Sequence, residues 1–209
     1  MGVFHSISPT EKRDLAIAWM AISLAFMILF VRDAFTRTGG LDPVTMILFF
    51  LIALLTVGVA FVLHELAHKY SAMKYGFWAE FRMDPGMLVV AVAMAALVGI
   101  VFAAPGATMI SGSSISKRQN GIISAWGPLT NLLLLIPFSC ILIAGITMNQ
   151  SIVYVIGFIG LEVNAMIAAF NMLPIGNLDG SKIFSWNPAI FVVMIAVSFL
   201  ALFFVLTSL

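Results

Sequence analysis

The chain has 209 residues, 62% of them hydrophobic and only 9% charged, with a net charge of +1. A soluble domain is about a quarter charged and about half apolar, so this chain reads as an integral membrane protein with several spans. No basic cluster offers a surface to nucleic acid, and a single cysteine, Cys140, rules out a disulfide framework or a cysteine-rich metal site. Lying in an apolar run, Cys140 is expected to be a small core residue.

The N-terminal stretch Met1–Asp14, "MGVFHSISPTEKRD", is a polar tail. It fits the loose Met-Gly-x-x-x-Ser lipidation pattern only weakly, and His5 reads as a solvated residue. Leu15–Val31 is the first apolar segment. No small-x-small cleavage signal stands near its end, where "FVRDAF" follows, so it is expected to be a retained span. Val44–Leu63 is the second, and it runs on into "FVLHELAHKY" (residues 61–70) before stopping at Gly76. Met87–Phe102 is apolar but covers only about 24 Å as a helix, short of a ~30 Å hydrocarbon core. Three more segments follow: Gly121–Ile146, with Pro128 and Pro137 inside it, Ile152–Leu173, and Pro188–Leu206. No long linker or repeat divides them, which implies a single membrane domain over residues 1–209.

Charge tests the short segment. If Met87–Phe102 crosses, Lys12, Arg13, Lys69, Lys74 and Arg82 face Arg32, Arg37, Lys117, Arg118 and Lys182 across the membrane, five against five. If it dips in and returns, Lys117, Arg118 and Lys182 join the N-terminal side and the count becomes eight against two. The positive-inside rule favours the second arrangement. The expected fold is therefore an all-α polytopic membrane protein with five transmembrane helices and the N-terminus inside. A re-entrant element over about residues 77–115 joins them, with room for short β-strands at "FWAEFRM" (77–83) and "GATMIS" (106–111).

The chemistry starts at "HELAH". His64 and His68, four apart, share one helix face and can hold one tetrahedral Zn²⁺. Glu65, beside the first of them, can take a proton from the activated water. A third ligand is needed, and the candidates are Glu80, Asp84, Glu162 and Asp179. Depth favours Asp179: His64 lies about 30 Å along its helix, Glu162 only about 15 Å into a span running the same way, and Asp179 emerges at that span's end. The resident cofactor expected is one Zn²⁺ per chain.

With "HELAH" at 64–68, "GPLTN" at 127–131 and "NMLPIGNLDG" at 171–180 in this order, the chain resembles the site-2 protease family of intramembrane zinc metalloproteases. The resemblance covers roughly residues 44–182. It implies that His64, His68 and Asp179 bind zinc, that Glu65 is the catalytic base, and that Asn171 and Asn131 lie near substrate. Asn177 stands where the family commonly has a second proline, and Ser181 where it has a second glycine; both touch loop shape more than chemistry. The implied activity is hydrolysis of peptide bonds in or near a transmembrane segment of another protein. The implied partners are that substrate and the bilayer, with the zinc site on the cytoplasmic side of the cell membrane. The rival reading is a transmembrane metal-ion transporter, which would also place His, Glu and Asp within spans.

Overall fold

The computed structural model describes residues 7–40, 42–101, 106–112 and 114–207; His5 and the lipidation pattern lie outside them. The elements in chain order are α1 (Pro9–Thr38), α2 (Pro43–Ala53), a π-helical turn (Leu54–Gly58), α3 (Val59–Lys74), β1 (Trp78–Met83), α4 (Pro85–Leu97), β2 (Gly106–Ser111), α5 (Lys117–Thr147), α6 (Ser151–Asn171), α7 (Asp179–Trp186) and α8 (Pro188–Thr207). Among the described residues, five stretches are long and apolar enough to cross a membrane: Pro9–Thr36, Pro43–Lys74, Lys117–Thr147, Ser151–Asn171 and Pro188–Thr207. The five-span expectation holds, and so do the two short strands, which pair in one antiparallel sheet. The chain forms two compact units: one runs up to Val62 and includes Glu80–Met109, and the other takes Leu63–Ala79 and Ile110 onward.

In the first unit, sequence signals set the helix ends. Ser8 caps α1 by accepting from Glu11 N, and Pro9 follows in the first turn, where its missing N–H costs nothing. Asp42 caps α2 in the same way, its carboxylate accepting from Val44 N, Thr45 N and the Thr45 hydroxyl, with Pro43 next. The Thr45 hydroxyl and amide hold the exposed Asp42 carboxyl below its ordinary value. Ahead of the zinc motif the helix widens into the π turn. Trp19 Nε1 donates to the Leu54 carbonyl at 3.0 Å, and the Trp19 ring lies where a side chain on Gly58 would have to go.

The short apolar segment folds as a helix shorter than the five long ones, flanked by the two strands. Asp84 caps α4, accepting from Met87 N at 3.0 Å, with Pro85 in the first turn. At 13 residues, α4 is about 20 Å long. It packs along α1. Near its start, Phe81 N donates to Glu11 Oε1 at 3.1 Å; at its far end, Arg32 Nη1 donates to Ala96 O at 3.3 Å. The Arg32 cation there meets the free carbonyls and negative dipole end of α4. The chain is then back where it started: a Cβ on Gly106 would strike Arg82 O and Met83 Cα. The two ends of the segment thus lie side by side.

In the second unit, α5 and α6 form a tight antiparallel hairpin. Small residues let the backbones approach: a Cβ on Gly145 would meet the backbone of Tyr154, one on Gly157 the backbone of Leu142, and one on Gly160 the ring of Phe138. Met172, Ile183 and Phe191 close a core between the end of α6, α7 and α8. A second cluster joins Ala72, Phe77, Ala79 and Ile123. α3 stops where Gly76 takes a φ of 80°, a left-handed turn that favours glycine. Cys140, expected in the core, is exposed on α5. It lies on an outward face of a spanning helix, where apolar character is tolerated without burial in protein.

Candidate metal centre

His64 and His68 lie one turn apart on α3 and are both buried, at 4% and 9% exposure. One face of α5 meets them through three residues spaced four apart. Ile123 accepts His68 Nδ1 on its carbonyl at 2.9 Å. Asn131 accepts His64 Nδ1 on its Oδ1 at 2.6 Å. Gly127, between them, leaves room: a Cβ there would sit against His68 Nε2 and 2.6 Å from His64 Nε2. Pro128 cannot donate to the carbonyl four residues back, so the regular helix ladder is interrupted in the turn where Ile123 receives His68.

Asp179 begins α7, just after the break that ends α6. Ser181 ties that break together, its hydroxyl donating to Gly176 O at 2.9 Å and to Leu178 O at 2.8 Å. Gly180 lets α7 sit directly on the end of α6, since a Cβ there would strike the carbonyl oxygen of Met172. The Asp179 carboxylate is thereby aimed at the histidines: Oδ2 lies 3.1 Å from His68 Nε2 and 3.3 Å from His64 Nε2. The two Nε2 atoms are 3.0 Å apart. Lys182 Nζ lies 3.6 Å from the other carboxylate oxygen, Oδ1.

These distances fit a metal. Atoms bound at 2.0–2.1 Å to one tetrahedral ion lie about 3.3 Å apart. Both Nδ1 atoms face oxygen acceptors, so both imidazoles turn their Nε2 lone pairs inward, toward each other and toward a carboxylate. A cation at such a point satisfies all three atoms at once. Burial alone would raise the Asp179 carboxyl; positive charge on His68 and the hydrogen bonds of His64 and His68 outweigh it and hold the carboxyl well below the usual range. The gap at Gly127 provides space beside the same two nitrogens. His64, His68 and Asp179 thus form a metal-binding group, and a histidine-histidine-carboxylate set leaves a fourth zinc position for water or substrate.

The other residues singled out in the sequence are placed as follows. Glu65 follows His64 on α3 and is half-buried. Asp84 caps α4, and Glu80 pairs with Arg82, so each has another task. Glu162 is half-buried on α6. Asn171, half-buried near the end of α6, donates back to Ile167 O at 3.0 Å. Asn131, expected near substrate, is fully buried with its oxygen on His64 and its amide donating to Asn164 Oδ1 at 2.9 Å. Sequence reasoning missed the parts played by Ile123, Gly127, Asn164 and Lys182. Gly127 and Asn131 could have been paired by their spacing of four on one helix; a backbone carbonyl such as that of Ile123 leaves no signal in side-chain identity.

No family model matches the chain, and no solved structure matches it at a significant level. A curated relative does. It is a protein of Methanocaldococcus jannaschii named "Putative zinc metalloprotease", 36% identical over 194 residues, which cover 93% of this chain and 93% of the relative. Similarity at that level over nearly all of both chains, joined to the His64, His68 and Asp179 group, means that the chain belongs to this zinc metalloprotease family.

Proposed function

We propose that the chain is a zinc-dependent intramembrane endopeptidase of the site-2 protease type, cutting peptide bonds in or near transmembrane segments of other membrane proteins. One observation carries the reading: a hydrolytic donor set is assembled at the ends of apolar helices. His64 and His68 lie late in the Pro43–Lys74 span, and Asp179 follows the Ser151–Asn171 span. A water-using site at that depth suits a bond that is itself in the membrane.

Bound zinc supplies Lewis acidity, which acidifies a water and polarises a carbonyl. The rest falls to the chain. Glu65 accepts a proton as the water oxygen bonds to the scissile carbonyl carbon. It returns that proton to the leaving nitrogen as the C–N bond breaks, giving a carboxylate and an amine. Gly127 keeps side-chain atoms out of the space beside the ligands. A cleaved segment must be extended, because a helix hides its amides and carbonyls, and an extended segment can add to a sheet edge. Glu11 occupies the Phe81 amide of β1, and β1 and β2 form the sheet that such a segment could join. The excess of Lys and Arg on the side shared by Lys69, Lys117 and Lys182 supports a centre facing the cytoplasm.

Glu65→Gln is the test. The variant keeps one zinc per chain and loses cleavage of a membrane-anchored substrate by about 10²-fold or more. Cleavage at the wild-type rate would remove Glu65 from the mechanism.

A further inference from the structure

We infer that His64 is preset in its metal-binding tautomer by a hydrogen-bond relay that starts at the backbone carbonyl of Gly160 and runs through Asn164 and Asn131. The inference rests on the zinc reading above and adds two positioning residues to it.

A neutral imidazole carries its proton on either nitrogen, and an asparagine amide can face either way. In this unit neither choice is free. Asn164 Nδ2 lies 2.8 Å from Gly160 O. A backbone carbonyl only accepts, so the amide of Asn164 must face it. Asn164 Oδ1 then faces Asn131 at 2.9 Å and can only accept from Asn131 Nδ2. This turns Asn131 Oδ1 toward His64 Nδ1 at 2.6 Å, which puts a proton on Nδ1 and so, in the neutral ring, the lone pair on Nε2. Nε2 is the atom that faces His68 and Asp179.

Reversing any one group sets two donors or two acceptors face to face. Asn131 and Asn164 are both 0% exposed and His64 only 4%, so water is poorly placed to repair the mismatch. His68 reaches the same end more directly, with Nδ1 on the carbonyl of Ile123. His64 has two amides between it and the backbone carbonyl that fixes it. The glycine-lined approach of α5 to α6 brings Asn131 and Asn164 within reach. Asn131 and Asn164 are thereby each assigned a direction as well as a partner.

Two measurements on the full-length chain in detergent test the relay. The first is imidazole ¹⁵N NMR of His64 after zinc is stripped with a chelator: the proton is expected on Nδ1, and a ring protonated only on Nε2 overturns the proposal. The second is zinc affinity by competition with a chromophoric chelator. Asn131→Leu and Asn164→Leu each weaken zinc binding roughly 10–100-fold. Because the relay is serial, the double variant is no weaker than Asn131→Leu alone. Asn131→Asp keeps an acceptor on Nδ1 but offers no donor to Asn164 Oδ1, and it weakens zinc binding less than Asn131→Leu does. Losses that simply add, or wild-type affinity in both leucine variants, sink the relay while leaving the zinc site intact. A wild-type chain that binds no zinc sinks the metal reading instead, and the NMR result still decides the tautomer.

Discussion

Lys182 and Asp179 form an i,i+3 pair in which Nζ lies 3.6 Å from Oδ1, while Oδ2 of the same carboxylate faces both imidazoles. The lysine thus biases Asp179 toward binding through one oxygen, which keeps a zinc position free. Its side chain is 35% exposed, so solvent weakens the pairing. Lys182→Met is expected to retain one zinc per chain by elemental analysis and to lower the cleavage rate by about tenfold, as the carboxylate swings toward chelation with both oxygens.

Gly127 faces the two Nε2 atoms so closely that one methyl group decides occupancy. Gly127→Ala is expected to abolish zinc retention through purification. The spanning helices should stay folded, because the added carbon meets ligand atoms and not helix backbone. Helical circular dichroism and metal content, measured on the same sample, separate the two effects.

Removing a ligand outright gives a graded control. Asp179→Ala lowers zinc content, whereas Asp179→Glu restores some of it with altered geometry. Unchanged metal stoichiometry in the alanine variant would mean that another residue completes the set.

Protons and zinc compete for one place. The ligands bind metal only when deprotonated, and the charge and hydrogen bonds of the two histidines hold Asp179 as an anion. Zinc affinity is therefore expected to fall as the pH is lowered and to recover on return to neutral pH. A flat profile in a chelator competition assay would contradict a histidine-bound ion.

The re-entrant arrangement has a topological signature. Single cysteines introduced at Lys74 and Lys117, in a Cys140→Ala background, should react with an impermeant reagent from the same side of sealed vesicles. A cysteine at Asn149 should react from the other. Labelling of Lys74 and Lys117 from opposite sides would require the α4 segment to cross.

Much of this was legible because each feature left a mark in residue type. Apolar length gave the five long helices, and turn and strand residues on either side of the short one gave the two-strand sheet. The spacing of His64 and His68, with depth along the helices, selected Asp179. The parts that stayed hidden are those set by backbone atoms or by empty space. The carbonyls of Ile123 and Gly160 carry no sequence signature. The room at Gly127 is visible only once His64 and His68 are seen against it. Asn131 shows the difference most plainly: its motif marks it as functional, and only the direction of its amide assigns it to His64. Ser181 reads as a departure in sequence, yet its two hydroxyl bonds hold the turn that presents Asp179.

The outward placement of Cys140 has a practical consequence. It is the chain's single cysteine, it sits on the exposed side of α5, and the metal centre uses none of its chemistry. A lipid-soluble maleimide can therefore attach one spectroscopic probe to the unmutated protein, within the same helix that supports both imidazoles. Movements of α5 during metal loading and turnover can be followed from there in a bilayer, without altering any residue that holds the ion.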